Sequence, residues 1–359
     1  EPLMELFVKR TIAYEAEPYV EETDWFTRGG VYSQHWGNDE HRAWRISIHS
    51  NVRWARELLR IKGFEDVRFY EDYEYDQSGA VIGPWVRDLM NEKTNLLLGR
   101  AETLYWQQIF TGVDVNEVFP VRLVLSGHGE YAAWTSLRSG DGDNLRGPVV
   151  STCNWGGPPT ITTTATWLEL VNSVVQRGMS YGWGRVSTIA NVERYFPNFE
   201  FGEGWRAYSH IRTDMDFYGD PGLRVWMGVP QQLSVEYPEV VDENTTVIEV
   251  VVTDADDHSP VAGAFVTLYD PVDIPDFADA DYADYSDMRI QMLRTGADGK
   301  VQFVPGEDFE FRPESTIQLT AFGDQIRPYF GEIEIAIPEF AVDISATIIS
   351  EVQGNGDEN

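Results

Sequence analysis

Two short apolar runs in this sequence each end on a residue able to do covalent chemistry. Val121-Arg-Leu-Val-Leu125 runs into Ser126-Gly127-His128-Gly129-Glu130. Pro148-Val-Val-Ser-Thr152 runs into Cys153-Asn-Trp-Gly-Gly157, and Cys153 is the only cysteine in the chain. A thiol attacks a peptide carbonyl as the thiolate, and a neighbouring imidazole supplies or stabilises that state. The two need not adjoin in sequence, because loops leaving the carboxyl ends of neighbouring parallel strands converge on one crevice. Gly127 and Gly129 clear side chains from around His128 and leave the Gly129 amide free to point inward. With the Cys153 amide it can form an oxyanion hole. Trp134 and Trp155 flank the crevice as candidate pocket walls. Each residue also has a plain structural account: Gly-His-Gly as a tight turn, the tryptophans as packing, and a lone cysteine as a small buried hydrophobe.

The elements that must position this pair follow from periodicity. Leu3 to Ala16 reads as a short helix, Gly29 to Ser33 as a strand, and Trp36 to Glu40 as its exit loop. Arg42 to Lys62 is amphipathic, with Ile48, Val52, Ala55, Leu58 and Leu59 on one face and Gly63 as the stop. Asp66 to Tyr70 reads as a strand. An acidic, Tyr-rich loop then leads to an expected helix over Asn95 to Phe110. After the His and Cys strands, Thr160 to Arg177 reads as a helix with Trp167, Leu170, Val171 and Val174 inward. Arg185 to Ala190 reads as a strand, and Gly204 to Phe217 as a closing helix. Alternation of this kind predicts a mostly parallel α/β sheet with helices on both faces.

After Pro230 helical periodicity stops. Val247 to Thr253, Pro260 to Tyr269, Val301 to Phe303, Thr316 to Ala321 and Ile333 to Ile337 read as short strands, with a hairpin signal at Ala297-Asp-Gly-Lys300. These predict a β-sandwich of about 110 residues. The expected domains are 1–230, α/β and catalytic; 231–350, the sandwich; and 351–359, a disordered tail. Seven aspartates between Asp270 and Asp287 make either a solvated loop or a Ca²⁺ site.

The chain carries 59 acids against 27 bases, a net charge of −32. Such a surface repels nucleic acid and anionic membranes. It reads as a solubility device, or as adaptation to salty or calcium-bearing water outside the cell. No apolar run reaches the ~20 residues of a membrane helix. Glu1-Pro2-Leu3 reads as the start of a piece cut from a precursor. There is no Walker loop, dinucleotide fingerprint, zinc spacing or HExxH, and no cofactor is needed for the chemistry.

Ser126-Gly-His-Gly-Glu130 with Ala132-Ala-Trp134, then Thr152-Cys-Asn154, resembles the gingipain family of cysteine peptidases. Tyr218-Gly-Asp-Pro-Gly-Leu-Arg-Val-Trp226 resembles that family's sequence at the end of its catalytic domain, and Lys9-Arg-Thr-Ile-Ala-Tyr14 looks like one of its helices. The resemblance implies a caspase-like catalytic fold followed by an immunoglobulin-like domain. It implies Cys153 as nucleophile, His128 as general base and acid, and the Gly129 and Cys153 amides around the oxyanion. It further implies a secreted endopeptidase of protein or peptide substrates, made as a precursor and often stabilised by calcium.

The sequence departs from the family in three ways. The family places two α/β subdomains side by side, so a separately cleaved N-terminal half is expected as a partner. The family has an acid at the end of the strand before the long first helix, whereas Val31 to Trp36 has none; Gln34, His35 or Asp39 are the candidates for a third member. The family's basic P1 specificity rests on an aspartate with no counterpart in Trp44 to His49, so that specificity is not carried over. Trp183, Val186, Ser187 and Thr188 beside Trp155 are the implied pocket walls instead. The rival reading is an inactive surface or scaffold protein that keeps the fold as a binding module; a transpeptidase would use the same thioester chemistry.

Overall fold

A computed structural model describes residues 2–34, 42–71, 82–100, 113–125, 140–141, 144–154, 160–197, 215–270, 289–306 and 315–336. The chain divides into two compact units, Glu1–Val229 and Pro230–Asn359.

In the first unit, α1 (Pro2–Glu15) precedes β1 (Arg28–Ser33), α2 (Arg42–Ile61) and β2 (Asp66–Glu71). Then come α3 (Ile82–Asn91), β3 (Leu96–Arg100) and β4 (Val121–Leu125). A two-residue pair, β5 (Gly140–Asp141) and β6 (Asn144–Leu145), precedes β7 (Val150–Asn154). The unit ends with α4 (Thr160–Val171), α5 (Tyr181–Tyr195) and β8 (Met215–Tyr218). Six strands form one sheet in the order β2-β1-β3-β4-β7-β8. The first five are parallel and β8 is antiparallel.

The sheet is buried on both faces, as parallel sheets are. Along β3, Leu96 and Leu98 join the cluster that holds Val52, Leu59, Trp167 and Leu170 from α2 and α4. Leu97 turns the other way, to Val86 and Leu89 of α3. Helices therefore cover both faces. The face of α2 built from Ile48, Val52, Ala55, Leu58 and Leu59 is buried as its spacing requires.

Three sequence expectations are corrected. Asn95 begins no helix: Leu96–Arg100 is a fully buried strand, and the helix of this region lies earlier, at Ile82–Asn91. A leucine run buried on both faces has no alternation to mark it as a strand. Gly83-Pro84 disguised α3, although proline is tolerated in a first turn. Arg185–Ala190 is not a strand but the middle of α5. Its β-branched residues are overridden by packing on α4 and the turn after it, where a Cβ on Gly184 would press on Leu170 and Val174. Met215–Tyr218 is a strand rather than the end of a helix; residues 201–214 lie outside the described residues.

In the second unit, β9 (Leu233–Glu236), β10 (Val240–Asp242), β11 (Ile248–Asp254) and β12 (Phe265–Asp270) lead to β13 (Arg289–Arg294). β14 (Lys300–Phe303), β15 (Thr316–Gly323) and β16 (Ile326–Ala336) follow. They form two sheets, β10-β16-β15-β12-β13 and β14-β11-β9. Ile248, Val250 and Val252 of one sheet share a core with Val266, Leu268, Ile317 and Leu319 of the other. This is a β-sandwich. The expected turn forms at 296–300, with the Gly296 N–H bonded to Lys300 O at 2.8 Å. It is not a hairpin, because the strands it joins lie in different sheets. The Asp-rich loop 271–288 and the tail lie outside the described residues.

Candidate active site

The two candidate catalytic residues issue from neighbouring parallel strands. β4 ends at Leu125, three residues before His128, and Cys153 is the fourth residue of β7. The backbone of Cys153 is described, but its side chain is not. His128, Gly129, Trp134, Trp155, His35 and Asp39 lie outside the described residues.

β4 is registered with β3 along its whole length, from Val121 opposite Leu96 to Leu125 opposite Arg100. Its register with β7 covers only Val121–Val150 and Arg122–Ser151. Beyond that, a side chain replaces the ladder. The Val124 N–H donates to Thr152 Oγ1 at 2.7 Å, and the same hydroxyl donates to Val124 O at 2.8 Å. β7 meanwhile stays registered with β8 through Asn154, with Cys153 opposite Asp216. The regular ladder between these two strands thus ends at Arg122–Ser151, and the Thr152 hydroxyl takes its place.

Other contacts fix these strands. Tyr181 at the start of α5 donates its hydroxyl to Ser151 O at 2.8 Å, and Arg122 Nη1 donates to Ser151 Oγ at 2.7 Å. Trp167 Nε1 of α4 donates to Leu123 O at 3.2 Å. Arg100, at the end of β3, is buried to 2% exposure. Its Nη1 reaches Leu125 O and its Nη2 reaches Thr164 Oγ1, both at 3.3 Å. One guanidinium therefore ties the exit of β4 to the helix that follows the Cys strand. Loss of water around it pulls its pKa down to about 10.

The ends of β1 and β2 carry a second polar cluster. Ser33 Oγ lies 3.0 Å from His49 Nδ1 of α2, and that nitrogen is 3.5 Å from Glu71 Oε1. Arg53 holds Glu71 with two bonds of 2.8 Å. Serine, histidine and glutamate are all present, but this is no hydrolase triad. Both partners meet the same ring nitrogen, whereas a triad uses the two nitrogens for separate partners, and Ser33 is fully buried. Gln34 is also fully buried, and its backbone N–H donates to Arg100 O at 3.0 Å.

The remaining sequence-derived pocket residues lie on α5. Trp183 is exposed. Ser187 donates to Glu169 Oε1 at 2.6 Å. Thr188 is fully buried and donates to Gly184 O at 2.8 Å, so it faces the core rather than an open wall. A cavity of about 420 Å³ lined by Ala13, Glu17, Tyr19, Val115, Glu117 and Phe119 is near the entry to β4, the end opposite Leu125. Its lining does not include Cys153. Among the described residues no group of three or more His, Cys, Asp and Glu side chains could hold a metal ion. No described helix is long and apolar enough to cross a membrane. Sequence reasoning missed Arg100, Thr152 and the His49–Glu71 pair; the single basic residue closing a leucine run was the one available signal.

No protein-family model matches the sequence, and no curated protein does. Solved structures do. The crystal structure of gingipain R, an Arg-specific cysteine proteinase, is similar at TM-score 0.68 and 15% identity, over 92% of this chain and 72% of that one. A complex of the pro- and mature domains of RgpB from Porphyromonas gingivalis gives TM-score 0.67 and 16% identity, over 92% and 74%. A structure described only as a protease gives 0.56 and 10%, over 93% and 71%. With its mostly parallel six-stranded sheet and following β-strand unit, this chain has the gingipain-like fold.

Proposed function

We propose that this chain is a cysteine endopeptidase in which Cys153 is the nucleophile and His128 the general base and acid. The observation that carries the reading is the pair of adjacent parallel strands, β4 and β7. One leads toward a histidine past its end, the other carries the only cysteine as its penultimate residue, and their regular ladder stops at Arg122–Ser151. His128 takes the thiol proton and the thiolate adds to the scissile carbonyl. The Gly129 and Cys153 amides hold the oxyanion. Collapse expels the amine, which leaves with the proton from His128. Water activated by the same imidazole then hydrolyses the thioester.

Secretion, a protein or peptide substrate and a structural Ca²⁺ belong to the same proposal. So does a separately cleaved N-terminal half, since part of the gingipain R chain has no counterpart here. Trp134, Trp155, Trp183 and Ser187 remain the proposed pocket residues, without basic P1 specificity. An active-site probe such as an acyloxymethyl ketone tests the core of the reading. Labelling and proteolysis should vanish in both Cys153→Ala and His128→Ala; undiminished proteolysis in Cys153→Ala would refute it.

One observation favours a binding module instead. The described end of β1 offers Ser33 and Gln34, both buried, and the carboxylate of Glu71 is already engaged by Arg53 and His49. A chain that binds peptides without cutting them would give no labelled thiol at any pH.

A further inference from the structure

We propose that Thr152 is the positioning residue of this site, its hydroxyl acting as the link that holds the His128 strand and the Cys153 strand at their spacing. The inference rests on the peptidase reading and deepens it. A regular parallel ladder would hold β4 and β7 about 4.8 Å apart to their ends. Here it stops at Arg122–Ser151. The next residue of β7 answers both polar groups of Val124 with one side-chain oxygen, at 2.7 and 2.8 Å. Thr152 and Val124 are both buried, so no water competes for these bonds. The hydroxyl is also directional. It must donate to one group and accept from the other, which leaves one rotamer and one separation.

The position in sequence gives this spacing its consequence. Cys153 follows Thr152 directly, and Val124 lies four residues before His128. The Thr152–Val124 bonds are therefore the described side-chain link between these two strand ends. A displacement of about 1 Å between two reacting groups costs on the order of a hundredfold in rate.

Thr152→Val is nearly isosteric and removes both bonds; Thr152→Ser keeps the hydroxyl. Since the chain has one cysteine, alkylation by iodoacetamide reports on Cys153 alone. In the full chain, Thr152→Val should lower kcat by about tenfold to a hundredfold with KM within about twofold. It should also move the pH midpoint of alkylation upward, as the imidazole no longer meets the thiol. Thr152→Ser should stay within about threefold of the parent in kcat and keep the parent's pH midpoint. A folded Thr152→Val with unchanged kcat and alkylation profile overturns the inference. If Thr152→Val does not fold, Thr152→Ser decides: a loss of kcat there overturns it equally. Proteolysis that survives Cys153→Ala is a separate failure, of the peptidase reading itself.

Discussion

Glu15 closes α1 and is half-buried against the segment that follows β8. Burial pushes its carboxyl from the ordinary 4.5 up to about 7; the nearby Asp220 charge adds to the rise, and a bond from the Arg224 backbone N–H opposes it. A carboxylate at a helix C-terminus also faces the negative end of the helix dipole. Below about pH 4.5 the group is protonated whether the chain is folded or not, and it costs nothing. Between 4.5 and 7 the folded chain holds the proton more tightly, so stability falls as pH rises. Above about 7 the whole cost is present. The displacement corresponds to at most about 3 kcal/mol, and screening of a half-buried group reduces this to about 1–2 kcal/mol. Glu15→Gln removes the charge and keeps an acceptor for Arg224. Thermal melts of both proteins at pH 8 and pH 4.5 measure the effect. The variant should melt about 3–6 °C higher at pH 8, and the gap should close at pH 4.5. A gap of the same size at both values, or a variant less stable at pH 8, would refute the argument.

Two further substitutions probe how β7 and α1 are held. Gly219 has φ +141°, and a Cβ there would run into Val150 at the start of β7. Gly219→Ala should therefore cost about 2–5 kcal/mol in denaturant unfolding; a loss under 1 kcal/mol would show that β7 yields there. Asn95 Nδ2 donates to Phe26 O at 2.8 Å and Trp226 O at 2.5 Å, and its Oδ1 accepts from Tyr14. Asn95→Asp sets a buried carboxylate against two carbonyls. It should cost at least about 3 kcal/mol at pH 7 and less at pH 4, read from melts at the two values.

The sequence carried the parts of the fold that periodicity encodes. The buried face of α2 and the alternation of β11 and β15 were legible because one side of each element meets water or a looser layer. Elements sealed on both sides were not. Leu96-Leu97-Leu98 looks the same in a helix as in a central strand, and only its place between β1 and β4 decides. α5 was hidden for the opposite reason: Gly182, Gly184 and a β-branched run argue locally for a strand, while close approach to α4 and Pro221 makes those glycines useful in a helix. In the candidate site, the proposed pair rests on residue type, since glycines and a sole cysteine stand out, and neither reacting side chain is among the described ones. The Thr152 link between β4 and β7 was not legible. A threonine before a cysteine looks like any strand residue until β4 is found beside it.

The described residues at this end of the sheet also bear on why a chain of net charge −32 could hold a thiolate. Among the described residues, the groups at the exits of β1, β3 and β4 are the Ser33 hydroxyl beside the His49 imidazole, the Gln34 backbone amide and the Arg100 guanidinium, which bonds Leu125 O and Thr164 Oγ1. Glu71 is the acid nearby in the fold, and it is engaged by Arg53 and His49. Arg100 and Cys153 lie on strands either side of β4, so their backbones are two strand spacings or roughly 10 Å apart. At an effective dielectric near 20, a unit charge at that range favours an anion by about 1–2 kcal/mol. A buried cation without a counter-ion is costly to keep. Among the described residues Arg100 bonds a carbonyl and a hydroxyl rather than a carboxylate, and in the proposed mechanism the negative charge developing at Cys153 would face it from across β4.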